Sequence, residues 1–488
     1  MNGHGQSDGP VVPANPLNKA AAAEAGEERG PAVGNTAGET RPGRSAGPGV
    51  SSDLGRVRQV ARRDKEARFT ALLHHVTFDL LWAAFASLRA DAAPGADGIR
   101  WQEYAQDLEV NLRDLHARVQ SGRYRASPVR RVHIPKPDGR LRPLGIVSLE
   151  DKIVQRALAD VLNAVFEADF LGFSYGFRPG RGPHDALDAL AAGICGQKVN
   201  WVLDADIRDF FGSLDRDWLG KFLRHRIADE RVLRLIGKWL AAGVVEDGKL
   251  TVEEQGSPQG APVSPLLANV YLHHVLDLWA DWWRKRHARG DVIIVRFADD
   301  FVMGFQDRDD AGRFLAALRE RFARFGLELH PDKTRLIEFG RYAAARRKAR
   351  GDRKPETFSF LGFTHICGTR KGRFRLRRIT DGKRLRAKLA QVKAGLMDRR
   401  HLPVPEQGRW LASVITGHQN YYAVPGNYKA VHTFRDEAIR HWRAALRRRS
   451  QKTRITWARM GRLARRWIPA TKIVHPYPEQ RFAASHPW

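Results

Sequence analysis

Two carboxylate groups in this 488-residue chain stand where metal-dependent chemistry could be done. Asp204-Ala205-Asp206-Ile207 closes a short apolar run that begins at Trp201, and Asp299-Asp300 lies in the middle of the run VIIVRFADDFVMGF. Hard divalent cations take oxygen ligands, and carboxylates at neighbouring strand ends can share two of them. Ions held in that way activate an attacking hydroxyl and stabilise a leaving phosphate oxygen. An Asp-Asp pair in a hairpin is, taken alone, commonly plain turn chemistry. Here apolar strands flank both groups, which puts the acids at the edge of a core. Asp204 is two residues from Asp206 and shares its side of a strand, so it is either a supporting carboxylate or a ligand itself.

The elements that must position these acids follow from periodicity. Leu72, Leu73, Val76, Leu80, Leu81 and Phe85 recur at helical spacing, as do Leu108, Leu112 and Leu115. Tyr124 to Ile134 reads as extended, and Pro137-Asp138-Gly139 is turn chemistry between two basic strands. Helices are predicted over Ile153 to Phe166, His184 to Ala192 and Ala311 to Phe325, strands over Trp201 to Ile207 and from Leu327 to Leu329, and a hairpin turning at Ala298, Asp299 and Asp300. Strands and helices mix without strict alternation, so the predicted class is α+β.

Charge limits the partners. Lys+Arg number 83 against 54 for Asp+Glu, a net charge of +29, and a polyanion would relieve that self-repulsion. The two cysteines, Cys195 and Cys367, are too few for a disulfide framework or a cysteine zinc cluster. No window approaches the roughly 18 uninterrupted apolar residues of a membrane span, and the N-terminus lacks the pattern of a secretory signal, so no membrane partner and a cytoplasmic, nucleoid-associated location are expected. Residues 1 to 65 are rich in Gly, Ala, Pro and charge, and are expected to form a disordered tail. After Cys367 the stripe Leu385, Leu389, Val392 and Leu396 is surrounded by Lys383, Arg384, Arg386, Lys388 and Lys393. From Ala438 to Pro478 there is no acidic residue, and Arg447, Arg448, Arg449 and later arginines are interleaved with Trp442, Trp457 and Trp467.

The order of the motifs is specific. Ile134 to Ile146 reads IPKPDGRLRPLGI, Ser174 to Arg181 reads SYGFRPGR, and Asp206 to Phe211 reads DIRDFF. GSPQGAPVSPLLANVYL runs from Gly256 to Leu272, FADD comes next, and then LHPDKTR at Leu329 to Arg335 and FSFLGF at Phe358 to Phe363. This series resembles the reverse transcriptases encoded by group II introns, from about Phe69 to the C-terminus. The resemblance implies a right-hand polymerase fold with two Mg²⁺ ions, for which Mn²⁺ could substitute. It makes Asp206 and Asp299 the metal ligands, with Asp300 as the adjacent carboxylate. Phe297 departs from the usual Tyr-Ala-Asp-Asp by lacking a hydroxyl. The same resemblance places Phe211 beneath the incoming sugar, where a ring would exclude a 2′-hydroxyl, and Gln259 in the nucleotide pocket. Lys136 and Arg142 would reach triphosphate oxygens. Lys333 is either the acid that protonates pyrophosphate or an ordinary surface lysine.

The expected organisation is a tail (1–65), fingers and palm (66–367), a helical thumb also called domain X (368–445) and a basic C-terminal extension (446–488). Expected partners are group II intron RNA, target DNA and primer, and deoxynucleoside triphosphates, with either a monomer or a homodimer possible. RNA contacts are assigned to Arg178, Arg181, Arg384, Arg386, Lys388, Arg447, Arg448 and Arg449. No cysteine pairs of an HNH endonuclease are present, so cleavage of a second target strand is not expected. The function implied is RNA-directed DNA synthesis, with splicing assistance and retrohoming of the intron. A domesticated polymerase and a splicing-only RNA chaperone are the alternatives.

Overall fold

A computed structural model describes residues 48–135, 141–246, 249–251, 256, 260–370, 372–450 and 454–485. Its centre is a four-stranded antiparallel sheet in the order β6-β7-β3-β8, made of β3 (Trp201–Ala205), β6 (Val292–Phe297), β7 (Asp300–Phe305) and β8 (Arg335–Glu338). Side chains alternate across this sheet. Leu203, Ile294 and Met303 enter a large core formed with the helices Leu149–Phe166, Ser264–Leu272 and Arg308–Arg324. Val202, Val295, Val302 and Ile337 face a second core beneath the helix Pro183–Gly196. A sheet covered on both faces explains the near-continuous apolar runs of β3, β6 and β7.

Three further sets of elements surround it. The basic hairpin is present as β1 (Val129–Pro135) paired antiparallel with β2 (Leu141–Ile146). Its sheet is completed by β4 (Val244–Glu246) and β5 (Lys249–Thr251), with β1 and β4 parallel. A three-stranded sheet holds β9 (Phe358–Phe360), β10 (Phe363–Arg370) and β11 (Arg373–Thr380). Beyond it the helices Gly382–Asp398, Val404–Tyr422, Tyr428–Arg447 and Trp457–Trp467 share one core of Val392, Leu396, Leu411, Ile415, Phe434, Trp442 and Met460.

Five sequence expectations change. The predicted tail is not featureless throughout, because Pro48–Arg63 is a helix whose Leu54, Val57 and Ala61 are buried. A boundary at 367/368 would cut the β10–β11 hairpin, and the helical part starts at Asp381, which caps Gly382–Asp398 by accepting from the amides of Lys383 and Arg384. A boundary at 446 would divide a shared core, since Met460 and Ala464 pack with Phe434 and Trp442. The strand expected at Leu327 to Leu329 is a single bridge, Ile207 to Leu329, while the apolar run before Phe85 divides into a 3₁₀ turn at Leu73–His75 and the helix Phe78–Ser87 capped by Thr77.

Candidate active site

The FADD hairpin is closed as tightly as the backbone allows. Phe297 pairs with Asp300, leaving only Ala298 and Asp299 in the loop. Ala298 has φ +57°, the left-handed region in which a Cβ is strained. Its restraint lies in the preceding strand. Arg296 is fully buried, and its guanidinium donates to Asp277 Oδ1 and Oδ2 at 2.7 and 2.6 Å, to Asn269 Oδ1 at 2.9 Å and to the Ala298 carbonyl at 2.9 Å. Asp277 closes a π-helical stretch, His273–Asp277, between the helices Ser264–Leu272 and Leu278–Arg286. A π-turn rotates the next helical segment relative to its place in an unbroken α-helix.

The SYGFRPGR segment backs the same turn. The Tyr175 amide donates to the Arg296 carbonyl at 2.8 Å, and the Asn269 side chain donates to the Gly176 carbonyl at 2.8 Å. A Cβ on Gly176 would lie 2.2 Å from the Ala298 nitrogen, so only glycine permits this approach.

Asp206 directly succeeds the last residue of β3. β3 pairs with β7 as far as Ala205 opposite Phe301, so Asp206 leaves β3 at the end where Asp300 begins β7. Its backbone is pinned by the His330 amide, which donates to the Asp206 carbonyl at 2.8 Å. The turn begun at His330 then presents Lys333, whose ammonium forms an ion pair with the Asp206 carboxylate. Asp204 is bound by Arg335 at 3.3 Å, and burial, opposed by that arginine, raises its pKa above the usual carboxylate range. It therefore belongs to Arg335 in this structure, as a support beside Asp206.

Phe211 packs part-buried against the large core, with its ring centroid 5.4 Å from that of Phe210. The backbone around it meets the glycine-rich segment that carries Gln259. A Cβ on Gly256, which has φ +86°, would lie 2.9 Å from the Phe211 carbonyl oxygen, and one on Gly260, at φ +104°, would lie 2.5 Å from the Gly145 carbonyl oxygen of β2. These two glycines tie the β1–β2 hairpin, the DIRDFF segment and the glycine-rich segment together. Lys136 and Gln259 themselves lie outside the described residues, and Arg142 is placed only as the partner of Ile134 in β2.

The assigned RNA contacts divide. Arg178 is a correction: its side chain is 3% exposed, pairs with Glu167 at 2.6 Å and donates to the Leu171 and Ser174 carbonyls. A guanidinium so enclosed braces the loop and cannot reach a phosphate. Arg181 donates to the Gly172 carbonyl at 2.6 Å and lies over the Tyr175 ring, so it too is engaged within the loop. Arg384 and Arg386 are exposed on the helix Gly382–Asp398, with Lys388 half-buried beside them. Arg447, Arg448 and Arg449 are exposed at the end of Tyr428–Arg447.

No three His, Cys, Asp or Glu side chains among the described residues are gathered closely enough to hold a metal ion in this conformation. The donor set nevertheless fits a hard cation. Asp206, Asp299 and Asp300 offer only carboxylate oxygens, and a cation already compensates Asp206. Sequence reasoning named the acids as candidates and missed Arg296, Asp277, Asn269 and Gly176, which hold the turn. The available signal was a lone arginine inside VIIVRF, a strand otherwise apolar.

Residues 134–365 match the family model for reverse transcriptase (RNA-dependent DNA polymerase). Protein YkfC of Escherichia coli is 35% identical over 277 residues, covering 50% of this chain and 72% of that protein. The chain belongs to the reverse transcriptase family, whose fold is the right-hand polymerase. Within that family it is of the group II intron reverse transcriptase/maturase type. Group II intron-encoded protein LtrA of Lactococcus lactis is 31% identical over 224 residues, 46% of this chain and 37% of that protein. Nuclear intron maturase 1, mitochondrial, of Arabidopsis thaliana is 31% identical over 111 residues, 23% of this chain and 15% of that protein. The chain thus matches most of the length of the E. coli relative and well under half of the other two.

Proposed function

We propose that the chain is an RNA-directed DNA polymerase that extends a DNA primer on an RNA template and also binds intron RNA as a maturase. The observation that carries the polymerase reading is the placement of Asp206 just past the end of β3 and of Asp299 and Asp300 at the start of its partner strand β7, beside a turn held in a strained conformation. Strain of this kind persists where surrounding structure over-determines it, and it concentrates at functional sites.

In this reading Asp206 and Asp299, with Asp300 beside them, would hold Mg²⁺ or Mn²⁺. When bound, the ions supply Lewis-acid activation of the primer 3′-hydroxyl and of the leaving pyrophosphate. Lys333, placed at Asp206, is the group from which pyrophosphate takes a proton. Phe211 borders the sugar, and the β1–β2 hairpin carries Lys136 and Arg142 to the triphosphate. The helices from Gly382 to Trp467 form the thumb, and their exposed arginines meet RNA phosphates. Splicing assistance rests on those surfaces rather than on the acids, and retrohoming of the intron requires both.

Primer extension with purified protein, an RNA template and a DNA primer tests this. The wild type should extend. Asp206→Asn and Asp299→Asn should each abolish extension while leaving template–primer affinity close to wild type, since ligation of an ion and contact with phosphates are separate contributions. Extension by either variant at the wild-type rate would remove the assignment. Splicing of a precursor transcript across magnesium concentrations tests the maturase half, in which Asp299→Asn should retain activity.

A further inference from the structure

Positive backbone angles at non-glycine residues are concentrated in the polymerase motifs. Among the described residues they occur at Phe177, Asp209, Ala298 and Leu361, which lie in SYGFRPGR, DIRDFF, FADD and FSFLGF. Asp209 carries a short polar side chain that tolerates this region, while Ala298 and Leu361 are buried in tight turns. Phe177 differs. It has φ +56° and is 54% exposed, the only described residue that is both strained in this sense and a large exposed apolar side chain.

Its surroundings fix where it stands. On one side Gly176 is pressed against the Ala298 nitrogen, and Asn269 holds the Gly176 carbonyl. On the other side the Arg178 guanidinium is locked to Glu167 and to three backbone carbonyls. The backbone of Phe177 is therefore clamped from both directions, close to the turn that carries Asp299. The ring leans on Phe297 with centroids 6.3 Å apart, and that contact leaves half of the residue open. Core packing does not account for this, since a ring turned outward contributes little to the fold and its backbone costs energy.

We propose that Phe177 is a contact for the 3′-terminal nucleotide of the primer, its ring packing on the base or deoxyribose that lies over the Ala298–Asp299 turn. The inference rests on the polymerase reading and assigns a substrate contact to a residue outside the acid motifs. An exposed aromatic held rigidly beside a polyanion-binding site is the arrangement by which proteins grip single nucleotides regardless of sequence. The ring would hold the terminal residue against the catalytic turn, so that the 3′-hydroxyl faces Asp299 rather than solvent.

The test uses the full chain, an RNA template and a DNA primer, with Phe177→Ala, Phe177→Trp and Phe177→Gly. Phe177→Ala should raise KM for primer–template about tenfold, the scale of removing one base–aromatic stack, with its melting temperature unchanged. Phe177→Trp should stay near wild type, because an aromatic face is retained. Phe177→Gly removes the left-handed strain, so it should melt at or above the wild-type temperature and still show the raised KM. A residue that only shapes the loop would raise KM in Phe177→Gly but not in Phe177→Ala, which keeps the backbone restraint. A primer ending in 5-iododeoxyuridine should photocrosslink at residue 177 in the wild type and not in Phe177→Ala. A crosslink mapped elsewhere, or a wild-type KM for Phe177→Ala, overturns this inference while wild-type extension leaves the polymerase reading standing. Absence of extension by the wild type would instead overturn that reading.

Discussion

Arg296 decides how firmly the Ala298–Asp299 turn is held. Its guanidinium makes four hydrogen bonds without contact with solvent, and one of them fixes the carbonyl of the strained Ala298. Removing one partner of a buried ion pair strands the other charge, so Arg296→Ala should cost on the order of 3–5 kcal/mol and yield a chain that folds poorly. The informative variant is Arg296→Met with Asp277→Leu, which deletes both charges. It should recover most of the melting temperature and still extend primers at least tenfold more slowly, because no donor then holds the Ala298 carbonyl. Wild-type kcat in that double variant would show that the turn needs no brace. This brace was not legible in the sequence. The acids announced themselves by motif, whereas Arg296 finds Asp277 through a fold in which a separation of 19 positions turns a helix into a facing strand. Arg178 failed in the opposite sense: an arginine in a basic-looking loop reads as a phosphate ligand until Glu167 is seen to enclose it.

At the scale of elements, helices with a clean stripe and strands with continuous apolar runs were readable, because period and burial coincide there. Leu385, Leu389, Val392 and Leu396 fall along one helix, and VIIVRF with DFVMGF forms the hairpin. The helix Pro48–Arg63 escaped because its few apolar residues, Val50, Leu54, Val57, Val60 and Ala61, follow residues 1–47, which are rich in Gly, Ala and Pro, and Val60 is exposed off the buried face. Yet it packs on Leu149–Phe166, and Arg226 donates to the carbonyls of Ala61 and Asp64. A chain beginning at Asp64 should accordingly lose a few kcal/mol, about what burial of two large aliphatic side chains supplies, and should melt several degrees lower. An unchanged melting curve would mean the helix is only appended. The basic helix faces make a separate prediction. Arg384→Ala with Arg386→Ala should weaken RNA binding and reduce the slope of log K against log salt by about 0.7 to 0.9 for each phosphate no longer neutralised. An unaltered slope would reduce both arginines to a solvated face, while Arg178→Ala should act through stability and leave the slope alone.

For the whole molecule, the +29 charge and a set of buried histidines together set the response to acid. Burial depresses the pKa of His184 to about 2, and of His273, His274, His365 and His418 to about 3. Each ring is thus neutral in the folded chain, whereas in the unfolded chain it takes up a proton below about pH 6.5. The unfolded state then binds more protons, so stability is intact above pH 6.5 and is lost progressively as pH falls from there toward 3. For the nearly inaccessible His273, His365 and His418 the loss by pH 5 is at most about 2 kcal/mol each. Three such losses are a large part of a domain's usual margin, so the protein should melt far lower at pH 5 than at pH 7.5. General repulsion among the surface cations would predict a similar direction, and salt separates the two causes. Charges at the surface are screened within a few ångströms at about 1 M salt, while a proton forced onto a buried ring is not. Melting temperatures at pH 7.5 and pH 5 should therefore stay well separated in 1 M NaCl, and His418→Phe, which keeps a ring stacked on Phe434, should narrow the gap. A gap that closes in high salt and ignores His418→Phe would assign the acid sensitivity to net charge alone.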